Sequence, residues 1–118
     1  MEKFSIVIPV YNEANNLKIL IPKIYQELKN KKFEVIVVDD NSTDMTSKIL
    51  EKFKKKNFHY IIRKNKRDLS KSCILGFHKS KYNNIIVMDG DLQHKPSDIK
   101  KFLHTFREIN PDIIVGTR

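Results

Sequence analysis

Ile85-Ile86-Val87-Met88-Asp89-Gly90-Asp91 is the stretch that decides the architecture. Four apolar residues in a row read as a short strand buried on both faces, with two carboxylates at its exit. Residues two apart in an extended chain point to the same side, so Asp89 and Asp91 can aim at one point. Gly90 leaves room between them for a ligand to approach the backbone. Two neighbouring like charges repel unless a cation or hydrogen-bond donors compensate. A hard divalent ion, Mg²⁺ or Mn²⁺, suits one or two carboxylates together with phosphate oxygens. D-x-D is short and also occurs in plain polar loops, so its meaning depends on the rest of the chain.

The same pattern recurs upstream. Residues 4–9 read as a first strand, with Pro9 at its exit, where a missing N–H is more easily tolerated. A helix follows with Leu17, Leu20, Ile21, Ile24 and Leu28 on one stripe, and Pro22 is expected to kink it or delay its regular part. Residues 33–38 form a second strand ending in Asp39-Asp40, and Asn41-Ser42-Thr43-Asp44 supplies N-cap chemistry for a helix turning Met45, Ile49, Leu50 and Phe53 inward. Residues 58–62 are a third strand. A charged loop then leads to a helix over 69–80 that buries Leu69, Cys73, Ile74 and Phe77, weakened slightly by Gly76. Beyond the D-x-D, Pro96 opens a helix burying Ile99, Phe102, Leu103 and Phe106. Residues 112–115 are a fifth strand.

Strands alternating with helices imply an α/β fold, a Rossmann-like, mostly parallel sheet flanked by helices. The unbroken apolar runs agree with it, since strands covered on both faces do not alternate. Ligands of such sheets sit beyond the carboxyl ends of the strands. Those ends carry Pro9, Tyr11 and Glu13, then Asp39 and Asp40, then Asp89, Asp91, Gln93 and His94, and finally Thr117 and Arg118. One rim thus gathers an aromatic, several carboxylates and an arginine, a set suited to a nucleotide with a metal on its phosphates.

Composition is that of one compact domain. The 118 residues are 40% hydrophobic and 31% charged, with 23 Lys and Arg against 14 Asp and Glu, a formal charge of +9. The excess suits a nucleotide or an anionic surface, but the basic clusters at 52–56 and 63–67 sit in no nucleic-acid module, and no nucleic-acid partner is expected. No apolar run reaches the length of a membrane span, and Met1-Glu2-Lys3 leads straight into a strand without a signal-peptide core. Cys73 is the only cysteine, so neither an intrachain disulfide nor a cysteine metal site is expected. The expected compartment is the cytoplasm. No P-loop or G-x-G-x-x-G run exists, which argues against a P-loop enzyme or a dinucleotide oxidoreductase.

Four motifs together resemble the family 2 inverting glycosyltransferases of GT-A fold. They are Ser5-Ile6-Val7-Ile8-Pro9-Val10-Tyr11-Asn12-Glu13, Val37-Val38-Asp39-Asp40-Asn41-Ser42-Thr43-Asp44, Met88-Asp89-Gly90-Asp91-Leu92-Gln93-His94 and Gly116-Thr117-Arg118. Within that family the run D-x-D-L-Q-H-x-P and the final G-T-R are similar to the dolichol- and polyprenol-phosphate mannosyltransferases. The resemblance implies that Pro9, Tyr11, Glu13, Val37, Asp39 and Asp40 bind the nucleotide sugar. It also implies that Asp89, Gly90 and Asp91 hold donor and metal, with Gln93 helping at Mg²⁺ or Mn²⁺, and that Arg118 contacts phosphate. Asp89, Asp91 and Arg118 are the expected catalytic residues. The implied reaction moves a sugar, mannose from GDP-mannose first, to a polyprenyl or dolichyl phosphate, peripherally at the cytoplasmic face of a membrane. Residues 1–118 are then the nucleotide-sugar-binding domain, and the acceptor-binding part of family members is expected outside them. The alternative is a non-catalytic nucleotide-sugar-binding module, and a phosphoryl-transfer receiver on a similar sheet is a third reading. Arg67-Asp68-Leu69-Ser70 stands where family members often carry glycines.

Overall fold

A computed structural model describes residues 3–90 and 113–115. The elements are β1 (Lys3–Val10), α1 (Ala14–Glu27), β2 (Lys32–Asp39), α2 (Thr46–Glu51), β3 (Phe58–Ile62), α3 (Leu69–Lys79), β4 (Asn84–Val87) and β5 (Ile113–Val115). All four pairings are parallel, in the order β3-β2-β1-β4-β5. The helix expected after Pro96 lies outside the described residues.

The sheet separates two apolar layers by strand alternation. Phe4, Ile6, Ile8, Phe33, Val35 and Val37 face α1 and α2, where Leu17, Leu20, Ile21, Ile24, Ile49 and Leu50 complete the main core. Val7, Ile85 and Val87 face α3 and pack with the half-buried Cys73 and Phe77. Burying side chains of this size is worth about 1.5–3 kcal/mol each, which is what holds the layers on the sheet. At the amino-terminal edge, the buried Glu34 accepts hydrogen bonds from the Ser5 hydroxyl at 2.6 Å and the Lys81 amide, and pairs with His59 at 3.6 Å. Those bonds fix where the chain leaves α3 and turns into β4.

Four local expectations are corrected. α1 runs unbroken through Pro22, because Pro22 and Lys18 both face solvent and water can satisfy the carbonyl that the ring strips of its partner. Met45 is 55% exposed, since it is the N-cap of α2 rather than part of its inner face. On α3, Leu69 and Ile74 are exposed while Ser72 and Gly76 are buried. The reason is close packing: a Cβ on Gly76 would collide with Val7 Cγ1 and press Val38 at 3.4 Å. Gly76 is therefore the contact point that sets how α3 is rotated on the sheet.

Pro9 is the fourth departure, for it lies inside β1, paired with Val38 of β2. The N–H and C=O of a strand residue point to the same side, and sides alternate along the strand. Val7 O accepts from Met88 N at 3.0 Å, so odd-numbered residues here face β4, whereas Val10 O accepts from Asp40 N at 2.9 Å on the β2 side. The next rung toward β4 calls for the N–H of Pro9, which has none. The β1–β4 ladder ends at Val7↔Val87, just before Asp89.

Replacing Gly76 by Ala should overpack the α3–sheet contact and destabilise the protein by about 1–3 kcal/mol in urea unfolding. A shift within error would mean that α3 is not pinned at this point.

Candidate functional site

The strand order reverses between β1 and β4, and in open parallel sheets that is where the carboxyl edge opens into a crevice. A shallow cleft of about 190 Å³ lies there. Pro9, Val10, Tyr11 and Glu13 line it from the β1 exit, Asp40 from β2, and Asp89 and Gly90 from β4. Gly90 is needed as glycine because a Cβ would stand 2.6 Å from Val10 Cγ1, so it accommodates the neighbouring strand as well as a ligand. Asp91, Gln93, His94, Thr117 and Arg118 lie outside the described residues.

Two βα loops are knitted into one rim. Asn12 has φ 53°, a left-handed conformation that asparagine tolerates, and its carbonyl Oδ1 accepts from Thr43 N at 2.8 Å and Asp44 N at 3.2 Å. In return, three successive amides at the start of α1 are satisfied by the second loop. Asn12 N donates to Ser42 Oγ at 2.8 Å, Glu13 N to Thr46 Oγ1 at 3.1 Å, and Ala14 N to Asp44 Oδ2 at 3.4 Å. Asp44 also accepts from Thr46 N at 2.8 Å, so one carboxylate caps α2 from its own loop and α1 from across the rim. Asp44 thus stands at the first amide of α1, where an arriving anion would meet a carboxylate.

The adjacent aspartates of β2 divide, since neighbouring strand positions face opposite sides. Asp40 lines the cleft and is buried with Arg63 as an ion pair, while its Oδ2 accepts from Asp68 N at 2.7 Å. Arg63 also donates to the carbonyls of Asp68 and Lys66, both at 3.3 Å. Asp40 thus anchors the loop over 63–68. Asp39 is on the other face, 1% exposed, with Oδ1 accepting from Ser42 N at 3.0 Å and from the Ser42 hydroxyl. Val37 is wholly buried in the main core against α1 and α2, so its side chain is not at the cleft.

The anchored loop brings in residues that were not among the expected site residues. Arg67 lays its guanidinium over the Tyr11 ring, 4.1 Å from the centroid, a cation–π contact at the mouth of the cleft. Leu69 and Ser72 line the wall from the first turns of α3. The signal available was positional: the exit of β3 lies on the same rim as the other strand exits. Burial raises the Cys73 thiol above its ordinary value, and the nearby Asp89 charge adds to that. No cluster of three metal-ligating side chains occurs among the described residues.

Comparison with known proteins accounts for this arrangement. Residues 5–118 match the family described as glycosyl transferase family 2. The chain belongs to that family. It is 37% identical over 117 residues to the dolichol-phosphate mannosyltransferase of Pyrococcus furiosus, covering 98% of this chain and 33% of that protein. Among solved structures, S. aureus TarS 1-349 superposes with a TM-score of 0.75 at 25% identity, over 92% of this chain and 33% of that one. The mannosyltransferase PcManGT of Pyrobaculum calidifontis, solved with GDP-Man and Mn²⁺, superposes with a TM-score of 0.70 at 23% identity, over 80% of this chain and 29% of that one. The fold is that of the GT-A glycosyltransferases. The chain spans between 33% and 50% of the length of the curated relatives it matches. No helix among the described residues is long and apolar enough to cross a membrane.

Two substitutions test the rim. Burial pushes the Asp44 carboxyl up, but hydrogen bonds from Thr46 and Ala14 outweigh it and leave the group below its ordinary 3.8. A carboxylate lowered in the native state stabilises the fold above its unfolded value and loses that contribution as pH falls through its native value. Asp44→Ala should therefore lower stability by about 0.5–1 kcal/mol at neutral pH, a modest figure because the group is solvent-exposed. The gap from wild type should narrow as pH drops below 3.8. Arg63→Ala should cost about 3–5 kcal/mol by stranding a buried Asp40 carboxylate, and Asp40→Leu/Arg63→Leu should recover much of it in denaturant unfolding.

Proposed function

We propose that this chain is the nucleotide-sugar-binding part of a metal-dependent inverting glycosyltransferase, with GDP-mannose as donor and a polyprenyl or dolichyl phosphate as acceptor. The observation that carries it is the single crevice at the carboxyl ends of β1 and β4, with Tyr11 under Arg67 at one side and Asp89 at the other. A guanidinium plane laid on an aromatic ring suits a base, and a carboxylate at a strand exit suits a cation on phosphates. The relatives point the same way: one is named dolichol-phosphate mannosyltransferase, PcManGT was solved with GDP-Man and Mn²⁺, and TarS was solved with UDP-GlcNAc.

Asp89, with Asp91 and Gln93 beyond it, would hold Mg²⁺ or Mn²⁺ through hard oxygen donors. The fit rests on the carboxylate that Asp89 carries into the crevice where β4 ends. When bound, such an ion neutralises charge on the diphosphate leaving group as a Lewis acid. In the transfer the bond between the sugar's anomeric carbon and the diphosphate oxygen breaks, the electron pair leaving with the diphosphate. A phosphate oxygen of the acceptor forms the new bond from the opposite face, inverting the centre. That acceptor is already ionised at neutral pH, so the site needs no strong general base. Arg118 supplies a further cation at the phosphates.

Calorimetry with GDP-mannose in the presence and absence of Mn²⁺ tests the proposal. Asp89→Asn and Asp91→Ala should each weaken metal-dependent binding at least about ten-fold, leaving the metal-free titration unchanged. Unchanged affinity with Mn²⁺ would remove the metal role. Donor binding without product on a lipid phosphate by the full-length protein would favour a binding module over an enzyme.

A further inference from the structure

Ser72 is completely buried, its Oγ has no hydrogen-bond partner among the described residues, and it lines the cleft. A helical serine ordinarily donates back to the carbonyl four residues earlier. Here that carbonyl, Asp68 O, already accepts from Ser72 N at 3.1 Å and from Arg63 Nη1 at 3.3 Å. Both of its lone pairs are spoken for, so the hydroxyl is denied its usual local partner. A buried hydroxyl in that state disfavours the ligand-free protein.

Its position says what could satisfy it. Gly76, one turn later on α3, rests on Val7 and Val38. α3 returns against the strand direction, and four helical residues span about the same 6 Å as two strand residues. Ser72 therefore stands over Pro9 and Asp40, two residues beyond Val7 and Val38 on the same sheet face. That is the Tyr11–Arg67 half of the cleft. Cys73, the next residue, packs instead with Ile85 and Val87 toward β4. Ser72 Oγ is the buried side-chain polar atom of that floor that has no hydrogen-bond partner among the described residues.

We infer that the Ser72 hydroxyl is a specificity-determining contact reading the polar edge of the donor's nucleobase. The inference rests on the nucleotide-sugar reading above. A planar base lying against the Arg67 guanidinium that covers Tyr11 turns an edge of N–H and C=O groups toward this floor, and a hydroxyl can donate to one or accept from the other. Bases differ along that edge, whereas ribose and diphosphate are common to all donors. A site built to hydrogen-bond one edge rejects ligands that leave the buried group unpaired.

Titrating GDP, UDP and ADP, each with Mn²⁺, into wild type and Ser72→Ala tests this. The variant should lose about ten-fold affinity for the nucleotide that wild type prefers and stay within about two-fold for the others. The ligand-free variant should also melt at a higher temperature, because it no longer buries an unpartnered hydroxyl. Equal losses for all three nucleotides would overturn the inference by assigning the contact to ribose or diphosphate, and no loss would overturn it outright. If wild type binds none of the three, the nucleotide reading itself fails, an outcome separate from either.

Discussion

The structure turns on a hydrogen bond that Pro9 cannot make. It occupies the middle strand of a five-stranded parallel sheet, a place where proline ordinarily breaks a ladder. Its nitrogen faces β4 just past the final Val7↔Val87 pair, so the β2 side stays intact while the β4 side is released. The hydrogen-bonded ladder therefore stops short of the carboxyl edge between β1 and β4, although Gly90 stays packed against Val10. The strand order reverses there, and Asp89 lines the cleft just past the last rung.

A cleft beyond the end of a ladder needs walls that do not collapse, and side chains of the rim loops provide them. Asn12 accepts from the Thr43 amide and Asp44 from the Ala14 amide across the first two loops, and the Asp40–Arg63 pair ties down the third. Each buried charge there is matched by a partner and by backbone groups, which is the condition under which such pairs are tolerated. Preorganisation of this sort lets polar groups meet a ligand without first rearranging. The bracing also places the Asp44 carboxylate on the first N–H of α1.

Much of this was legible in the residues. The apolar runs of β1, β2 and β4 announced a sheet covered on both faces, and their acidic or aromatic exits announced a shared rim. Local chemistry was read less well where exposure decides the outcome. Pro22 was expected to disturb α1, yet a proline whose freed carbonyl faces water is tolerated. Leu69 and Ile74 looked like core because they are apolar, but the small residues Ser72 and Gly76 let α3 approach more closely and took the inner face. Asp39 and Asp40 were both expected at the nucleotide sugar, although strand alternation sends them to opposite sides. Arg67 was passed over because it sits in a charged loop, and nothing in composition separates a solvated arginine from one laid on an aromatic ring.

By itself the order of residues determined the class of fold, the parallel sense of the sheet and the edge at which chemistry gathers. Those properties follow from periodicity and from the one-dimensional succession of strand, turn and helix. Only the tertiary structure decided which of the gathered groups face the cleft, which are consumed in bracing it, and which are left with hydrogen-bonding capacity to spare. These are questions of rotation, register and distance between segments far apart in the chain. The Asp68 carbonyl shows why: its two lone pairs are filled by a neighbouring turn and by an arginine held from another strand, and that double occupancy is what leaves Ser72 waiting for a ligand.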